Sequence, residues 1–261
     1  MTPEQILAHW DSGAPWPAGC GVDMTTAHER ALSVRELRIA RGESPRGFKI
    51  GFTNRNIWPR YNVFAPIWGP VWDTTLQFCK GEGTVSLDHT SLPRLEPEAV
   101  FGISATPPAN PSLDDLLACV EWVAPGFEVV QSHMPGWVFT AADTVADCGL
   151  HACLLVGPKV PAMKVARTAQ AFDARLAEAR VTLKQGDKAV ERGVGSNVLG
   201  GPLRALQHFV VAMRAYPGAP DLQPGDVVTT GTWTDAWPVK PGEQWTAEFD
   251  VPLSQLKVTF T

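Results

Sequence analysis

Proline and glycine interrupt this chain throughout its length. The sequence holds 23 residues of each type among 261, together with 10 Trp and only 2 Tyr. Proline lacks a backbone donor and glycine adopts turn conformations readily, so frequent interruption keeps helices and strands short. The many tryptophans offer large apolar surfaces around the resulting turns. This combination favours a β-rich α+β enzyme over a helical bundle, and the length suits one large domain.

The charge pattern excludes several classes of protein. The formal net charge is -5 with a pI near 5.7, and charges of both signs are interspersed, so we expect neither nucleic acid nor an anionic membrane as a partner. No apolar run approaches the roughly 20 residues that span a bilayer, and the first residues lack a signal-peptide pattern. We therefore expect a cytoplasmic protein. The five scattered cysteines predict reduced, buried thiols rather than disulfides or a zinc site.

Local signals predict helices first and strands afterwards. Two pairs have the spacing of reciprocal helix caps, Thr2 with Gln5 and Thr26 with Glu29. The second helix should run to about Gly42, and short apolar or alternating stretches begin at Gly47, for example residues 48–52 and 84–87. The chain is therefore expected to have a helical lead-in over residues 1–46 and a catalytic unit over residues 47–261.

Further elements follow from caps, turns and alternation. Ser112 predicts a helix through residues 116–123 that ends before Pro125, followed by a strand at 127–130. The turn residues around Gly186 predict a hairpin between residues 180 and 192. Pro202 predicts a helix that continues to about Ala215. Alternation predicts strands at 226–230 and within 245–260.

Three glutamates form a candidate metal site. Glu96 and Glu98 stand two positions apart, so on an extended segment they point to one face, where they repel unless a cation binds between them. Alone, the pair also fits a solvated edge strand, which Pro97 would suit. Glu128 lies in an apolar strand segment, and buried carboxylates are rare unless paired or bound to metal. Three such groups make an oxygen-only site suited to Mg²⁺ or Mn²⁺.

An ordered series of motifs runs from about residue 47 to the end of the chain. Its members are FKIGFT at 48–53, RLEPE at 94–98, FEVV at 127–130, DTVAD at 143–147, GSNVLGGPL at 195–203 and GDVVTTGT at 225–232. The series resembles the fumarylacetoacetate hydrolase superfamily, and within it the branch of 2-keto-4-pentenoate hydratases and 4-oxalocrotonate decarboxylases. This resemblance implies a β-rich fold with a mixed, mostly antiparallel sheet or roll.

The resemblance also implies roles for individual residues. Glu96, Glu98 and Glu128 would bind Mg²⁺ or Mn²⁺, which chelates a 2-oxo acid through its carboxylate and keto oxygens. Lys49 stands at the position of the active-site lysine, although a lysine can also be a plain surface residue. Burial near a metal should lower its pKa toward the range of a proton carrier.

Four more residues are candidates on the same basis. Asp73 aligns with an acidic residue used for proton transfer, and a turn aspartate is the competing interpretation. Thr232 matches a position that contacts the substrate carboxylate, and it also fits an ordinary turn. Ser196 and Asp143 lie in matching motifs and are predicted to contact substrate. The glycines at 193–201 lack the spacing of a nucleotide-binding loop.

The sequence departs from the branch at three positions. Gln131 replaces an aspartate, His133 an arginine and Cys148 an asparagine, which affects the expected substrate more than the expected metal. No lysine directly precedes Asp143, and this favours the hydratase and decarboxylase branch over the C–C hydrolases. His133 and His151 are expected to form structural hydrogen bonds rather than to bind metal.

The leading functional prediction is hydration of a 2-hydroxy-2,4-dienoate to a 4-hydroxy-2-oxo acid in aromatic catabolism. Decarboxylation of an oxalocrotonate-type diacid is the alternative, and it would need a cationic pocket, for which Arg55, Arg60 and His133 are candidates. A non-catalytic partner subunit is a third possibility, against which the three retained carboxylates argue. We also expect a homo-oligomer, with association to a sister hydratase or decarboxylase.

Overall fold

The computed structural model describes residues 1–261, which form eight α-helices and fourteen strands. The helices are α1 (Pro3–Ser12), α2 (Met24–Ala40), α3 (Trp58–Tyr61), α4 (Leu113–Cys119), α5 (Ala141–Ala146), α6 (Ala162–Val165), α7 (Ala169–Glu178) and α8 (Pro202–Arg214). The strands are β1 (Pro45–Gly51), β2 (Ile67–Trp72), β3 (Leu76–Phe78), β4 (Glu82–Val85), β5 (Arg94–Ile103), β6 (Val120–Val130), β7 (His151–Val156), β8 (Val160–Pro161), β9 (Arg180–Gln185), β10 (Lys188–Val194), β11 (Val227–Thr229), β12 (Trp237–Pro238), β13 (Gln244–Phe249) and β14 (Leu256–Phe260). None of the helices combines the length and the apolar character needed to cross a membrane.

The strands form two mixed sheets. The nine-stranded sheet has the order β2-β1-β11-β5-β6-β7-β3, with β12 paired to β5 and β8 paired to β6. The five-stranded sheet has the order β10-β9-β13-β14-β4. Only the pairs β1–β11, β3–β7 and β4–β14 are parallel. The predicted β-rich α+β fold with a mostly antiparallel mixed sheet is therefore confirmed.

The long pair β5–β6 lies at the centre of the larger sheet. Ten register partners join the two strands, from Arg94 opposite Val130 to Ile103 opposite Val120. Most of their residues are fully buried, including Phe101 and Phe127. Apolar residues of α7 and α8, such as Phe172 and Phe209, belong to the same main core. Because both strands are buried, any charged side chain on them needs a partner.

The helical lead-in packs on one part of this sheet. Ile6, Ala27 and Val34 share a second core cluster with Val145 of α5. The predicted cap at Thr2 with Gln5 is present. The cap predicted at Thr26 is wrong, because Asp23 has the extended backbone of a cap residue and accepts from the Thr26 N–H at 2.8 Å. The division between residues 46 and 47 stays a prediction.

The largest difference from the predicted elements lies after α4. That helix ends at Cys119 rather than at residue 123, and β6 starts at Val120. Val120 and Val123 pair with Ile103 and Phe101 of β5, so sheet pairing overrides the helical pattern there. The hairpin around Gly186, the helix that begins at Pro202 and the final strands are as predicted.

Candidate active site

Four charged side chains converge on one face of the larger sheet. Lys49 lies on β1, Glu96 and Glu98 on β5, and Glu128 on β6 directly opposite Glu96. One carboxylate oxygen of each glutamate lies within 4.8 Å of the others. Glu98 and Glu128 are completely buried, whereas Glu96 is partly exposed. The structure thus brings together the predicted metal ligands and the predicted lysine.

Lys49 forms an ion pair with Glu128. Its Nζ lies 3.0 Å from Glu128 Oε2, and only 3% of the residue is exposed. The aliphatic stem passes Gly149, whose backbone is left-handed (φ 72°), and a Cβ there would meet the Lys49 Cδ at 3.0 Å. Gly149 thereby leaves room for a buried lysine between β1 and the start of β7. Lys49 is therefore not a plain surface lysine.

Glu98 is held by the backbone of the turn after β11. Its Oε2 accepts from the Gly231 N–H at 2.6 Å. Gly231 has φ 99°, and a Cβ at this position would overlap the hydroxyl of Thr53. Only glycine fits both conditions, because other residues rarely adopt this φ and would clash. The remaining oxygen, Glu98 Oε1, is buried without a hydrogen-bond partner.

Glu128 is held by a histidine that begins β7. His151 Nδ1 lies 2.9 Å from Glu128 Oε1, and His151 Nε2 lies 3.0 Å from Thr75 Oγ1. With the proton on Nδ1, the ring donates to Glu128 and accepts from Thr75. Burial lowers the pKa of His151 more than Glu128 raises it, which favours this neutral form. The histidine thus fixes one oxygen of Glu128 and leaves Oε2 facing Lys49.

Burial and charge crowding perturb every ionisable group of this cluster. Burial raises the pKa of Glu96 to about 7 and that of Glu98 well above its usual range, with Glu128 contributing repulsion in both cases. The pKa of Glu128 is lowered, since Lys49 and His151 together outweigh burial. Burial alone would lower the pKa of Lys49, but Glu128, Glu96 and Glu98 raise it above its usual value. The lowered pKa expected for Lys49 is therefore not found in the metal-free protein.

The carboxylate cluster fits a hard divalent cation. It offers three oxygens of separate glutamates, and two buried oxygens, Glu98 Oε1 and Glu128 Oε2, make no regular hydrogen bond. Buried polar atoms are rarely left so, and a single ammonium does not balance three carboxylates. Oxygen-only donors with an open side suit Mg²⁺ or Mn²⁺, which retain positions for water or substrate.

Two predicted site residues lie away from this cluster. Asp73 is exposed beyond the end of β2 that pairs with Pro45, and its Oδ1 accepts from the Ser44 N–H at 3.0 Å. Asp143 is buried as a capping residue of α5, where its oxygens accept from the Thr140 N–H and the Cys20 N–H. Asp73 lies at the end of β2 away from the cluster, and both oxygens of Asp143 accept from backbone donors, so the structure does not support the expected proton-transfer role of Asp73 or the substrate contact of Asp143.

Thr232 and Ser196 are placed differently from each other. Thr232 follows Gly231 beside Glu98, and its hydroxyl donates to the Thr234 carbonyl at 2.9 Å. Ser196 is exposed in the turn at Gly195–Asn197, and its hydroxyl makes no hydrogen bond within the chain. The substrate contacts of Thr232 and Ser196 stay predictions.

The three departures from the branch pattern are buried. Gln131 accepts from the Ser91 N–H at 3.0 Å and donates to the His151 carbonyl, so it supports the histidine that holds Glu128. His133 is fully buried, and its Nδ1 lies 2.7 Å from Asp147 Oδ1. It is therefore not available to bind a substrate carboxylate. Cys148 has φ 52°, and burial raises the pKa of its thiol to about 12. Gln131 and His133 bond to residues at or just before the start of β7, namely the His151 carbonyl and Asp147.

A row of aromatic rings lies beside Arg94, two positions before Glu96 on β5. Its ring centroids follow one another at 4.9 Å from Phe52 to Tyr61, 5.6 Å from Tyr61 to Phe139 and 6.0 Å from Phe139 to Trp137. The guanidinium of Arg94 lies 4.2 Å from the centre of the Trp137 ring. Arg55 and Arg60, predicted for a cationic pocket, are exposed and lie near the rings of Trp58 and Tyr61.

Sequence reasoning did not assign the groups that hold the carboxylates. These groups are the Gly231 N–H, the His151 ring and the Thr75 hydroxyl. All three come from segments distant in sequence from the glutamates they support. His151 was expected to form a structural hydrogen bond, and it does, although its partner was not foreseen. Arg94 was visible in the RLEPE motif, two positions before Glu96, and this spacing was the available signal.

Comparison with known proteins decides the family. The family profile described as "Fumarylacetoacetate (FAA) hydrolase C-terminal" matches residues 74–260. The chain belongs to the fumarylacetoacetate hydrolase family. The resemblance inferred from the ordered motifs is thereby confirmed.

Relatives of this chain by sequence include a decarboxylase and a hydratase. A 4-oxalocrotonate decarboxylase from Pseudomonas sp is 31% identical over 88% of this chain and 86% of its own length. A 2-hydroxyhexa-2,4-dienoate hydratase from Comamonas testosteroni is 30% identical over 84% of this chain and 80% of its own length. The solved 4-oxalocrotonate decarboxylase from Pseudomonas putida G7, complexed with magnesium and adipate, has a TM-score of 0.86, 23% identity and coverage of 100% and 99%. These similarities support an enzyme of the lyase kind.

Proposed function

We propose that this protein is a Mg²⁺- or Mn²⁺-dependent lyase that hydrates a 2-hydroxy-2,4-dienoate to a 4-hydroxy-2-oxo acid. The observation that carries the proposal is the buried group of three carboxylates and one ammonium, Glu96, Glu98, Glu128 and Lys49. Without a further cation the three carboxylates are costly to ionise together, and Lys49 is the ammonium in contact with them. Magnesium and manganese accompany solved proteins of this fold, which supports the choice of metal.

A bound divalent cation would supply a Lewis acid and a template for the carboxylate and keto oxygens of the substrate. Glu96, Glu98 and Glu128 would hold it, with Gly231 and His151 fixing the orientation of two of these ligands. Such supporting hydrogen bonds keep the ligand oxygens aimed at the metal.

Lys49 would move the protons of the reaction. Its ammonium, held at Glu128, would protonate C5 of the dienol while the 2-hydroxyl loses its proton, which converts the substrate into a conjugated 2-oxo-3-enoate. The neutral amine would then accept a proton from the water that adds at C4, and a proton equivalent to the one lost by the 2-hydroxyl would be added at C3 to complete the 4-hydroxy-2-oxo acid. General acid–base groups of this kind typically contribute about 10² to 10⁴-fold to the rate.

Hydration makes fuller use of the Lys49 ammonium than decarboxylation does. Both reactions need an electron-accepting carbonyl. In hydration a proton donor must act before water can add, whereas in decarboxylation carbon dioxide leaves before any proton is added. Decarboxylation of an oxalocrotonate-type diacid remains the second candidate, because the 31% identical relative has that name. A non-catalytic subunit is not favoured, since a relic would have no need to retain a buried lysine together with three carboxylates.

The test compares two substrates on one preparation. The metal-stripped protein, with and without added Mg²⁺ or Mn²⁺, receives 2-hydroxypenta-2,4-dienoate in one series and 4-oxalocrotonate in another. We expect metal-dependent loss of the dienoate with formation of 4-hydroxy-2-oxopentanoate. Glu98→Gln should abolish turnover, whereas Glu121→Gln, an exposed change on the same sheet, should not.

Two outcomes would contradict the proposal. Release of carbon dioxide from 4-oxalocrotonate with the dienoate unchanged would establish the second candidate instead. Full turnover in the presence of a chelator, or in the Glu98→Gln variant, would remove the metal site from the reaction.

A further inference from the structure

Arg38 places its guanidinium inside the protein between two tryptophans. It lies on α2, only 2% of the residue is exposed, and no other arginine is buried. The guanidinium carbon lies 3.7 Å from the centre of the Trp10 ring and 4.6 Å from that of the Trp72 ring. Its Nε donates to Glu43 Oε2 at 2.7 Å. A buried ion pair adds little stability compared with apolar residues of similar size, so the position of this pair between the two rings is the informative feature.

Trp10 connects Arg38 to the main chain of His151. Trp10 lies on α1, and its Nε1–H donates to the His151 carbonyl at 3.3 Å. The side-chain amide of Gln131 donates to the same carbonyl at 3.3 Å. Because the guanidinium stacks on the Trp10 ring, it restricts the direction in which the indole N–H points. One support of the His151 backbone therefore depends on Arg38.

Trp72 connects Arg38 to the ring of His151. Trp72 ends β2, and its backbone N–H donates to Thr75 Oγ1 at 3.1 Å. That hydroxyl lies 3.0 Å from His151 Nε2 and donates to it when the ring carries its proton on Nδ1. The second support of His151 therefore begins at the other tryptophan that Arg38 contacts.

The ion pair of Arg38 also holds the turn between Trp72 and Thr75. The hydroxyl of Thr74, within this turn, donates to Glu43 Oε2 at 3.0 Å, and Arg38 Nη2 lies 3.5 Å from the same hydroxyl. The turn is thus fastened to α2 by both partners of the pair. This contact keeps the Thr75 hydroxyl in place at the histidine ring.

Both connections end at the histidine that supports a candidate metal ligand. His151 Nδ1 lies 2.9 Å from Glu128 Oε1, so the position of the ring sets the direction of that carboxylate. Arg38 and Trp10 belong to the helical lead-in, which precedes the residues 74–260 matched by the family profile. The lead-in therefore reaches the carboxylate cluster through contacts that the family profile does not cover.

We propose that Arg38 is a positioning residue for the metal site. Through Trp10 and Trp72 it fixes the carbonyl and the ring of His151, and His151 in turn fixes the carboxylate of Glu128. This inference rests on the proposed function, because it assumes that Glu128 is a metal ligand. It gives the helical lead-in a part in metal binding in addition to its packing on the sheet.

The first measurement is the affinity for Mg²⁺, by titration calorimetry on the metal-stripped protein without substrate. Arg38→Met keeps an apolar stem between the two indoles and removes the guanidinium, while Glu43 keeps its ion pair with Arg41. Groups that orient a metal ligand contribute about 10 to 100-fold to metal affinity, and Arg38 acts one contact further away, so we expect a loss of about tenfold. Arg38→Lys keeps the charge without the planar stack and should lose less.

Two comparisons separate positioning from general destabilisation. In the His151→Gln background, Arg38→Met should change the affinity by less than about twofold, because the group through which Arg38 acts is absent. Arg214→Met removes an ion pair between α8 and Asp221 that lies outside these contacts. It should lower the thermal midpoint and keep the wild-type affinity.

The second measurement needs no metal. In protein with isotope-labelled histidine, NMR of the ring nitrogens should show His151 with its proton on Nδ1, and Arg38→Met should show a mixture of the two tautomers. Trp10→Phe provides the same measurements if Arg38→Met does not fold, since it keeps a ring against Arg38 and removes only the N–H that bonds to His151. We expect it to weaken Mg²⁺ binding by about threefold.

The results that would overturn the inference differ from those that would overturn the proposed function. Wild-type affinity in Arg38→Met, or an equal loss in Arg214→Met, would refute the role of Arg38 while the metal site stands. A loss in the His151→Gln background as large as in the wild type would also refute it, because Arg38 would then act by another route. If the wild type binds no Mg²⁺, the proposed function fails together with the metal part of this inference, and unchanged spectra in Arg38→Met would overturn the rest.

Discussion

The metal-free protein should lose stability as the pH rises, because Glu96 is costly to ionise. Burial and the neighbouring Glu128 raise its pKa to about 7 from the reference value of 4.5. Between these values the folded state binds more protons than the unfolded state, so the free energy of unfolding falls with rising pH. The stabilising contribution is complete below about pH 4.5 and is lost as the pH approaches about 7.

The size of the effect follows from the shift. A pKa of about 7 in place of 4.5 corresponds to a few kcal/mol, and partial exposure of Glu96 limits this to about 2 to 3 kcal/mol. The magnitude is reasonable, since two like charges within 4.8 Å of each other repel by about 3 kcal/mol or more at an effective dielectric constant of about 20.

The assay is urea unfolding of the protein in a chelator at several pH values between about 5 and 8. Glu96→Gln keeps the size of the side chain without the ionisation, so the variant should show a smaller decline. At about pH 8 it should exceed the wild type by about 2 to 3 kcal/mol. Glu121→Gln, an exposed change on β6, should follow the wild-type curve.

In saturating Mg²⁺ the wild type should have a larger free energy of unfolding than Glu96→Gln. A ligand at about 1,000 times its dissociation constant adds about 4.1 kcal/mol to the free energy of unfolding, which exceeds the expected deficit of about 2 to 3 kcal/mol, and the variant lacks one of the three ligands. Parallel curves for the wild type and Glu96→Gln in chelator would refute this reasoning, because Glu96 would then ionise as freely in the folded state as in the unfolded state.

Three further predictions concern the same site and the assembly. Lys49→Met should lower kcat by about 10² to 10⁴-fold with a small change in KM, measured beside the thermal midpoint of the Mg²⁺-loaded protein; an unchanged kcat would remove Lys49 from the reaction. His151→Gln should weaken Mg²⁺ binding by about 10 to 100-fold in calorimetry, and unaltered affinity would show that its hydrogen bond to Glu128 is dispensable. Light scattering should report a homo-oligomer, for which the exposed Phe64 and Val251 are candidate contacts, and a monomer at micromolar concentration would contradict this.

The metal ligands could be predicted from sequence because their geometry is local. Alternation on one strand places Glu96 and Glu98 on one face without any knowledge of the fold. A glutamate in an apolar strand, Glu128, has few explanations other than a partner or a metal. The register that sets Glu128 opposite Glu96 depends on the whole β5–β6 pair, and here the ordered family motifs supplied what spacing alone does not.

The misplaced elements show where local signals compete. Thr26 has a good capping sequence, but the helix begins earlier. Asp23, three residues before it, is the cap and accepts from the Thr26 N–H. Residues 116–123 read as one apolar helix, yet the β-branched residues Val120 and Val123 gain partners on β5 that a helix would not offer. Asp73 lies at the end of β2 that is farther from the carboxylate cluster. No spacing in the sequence reveals which end of the strand lies near the site.

The raised pKa of Lys49 and its proposed role as a proton carrier are consistent because both depend on Glu128. In the metal-free protein Lys49 is the nearest positive charge to Glu128 Oε2, so its proton is held tightly. That same oxygen lacks a regular hydrogen bond and is the one left open by His151, which makes it the candidate metal ligand. A divalent cation held by Glu128 would weaken the attraction that raises the pKa of Lys49 and would place a like charge nearby. Lys49 would then release its proton most readily when the metal site is filled, so proton transfer is coupled to the presence of the metal that holds the substrate.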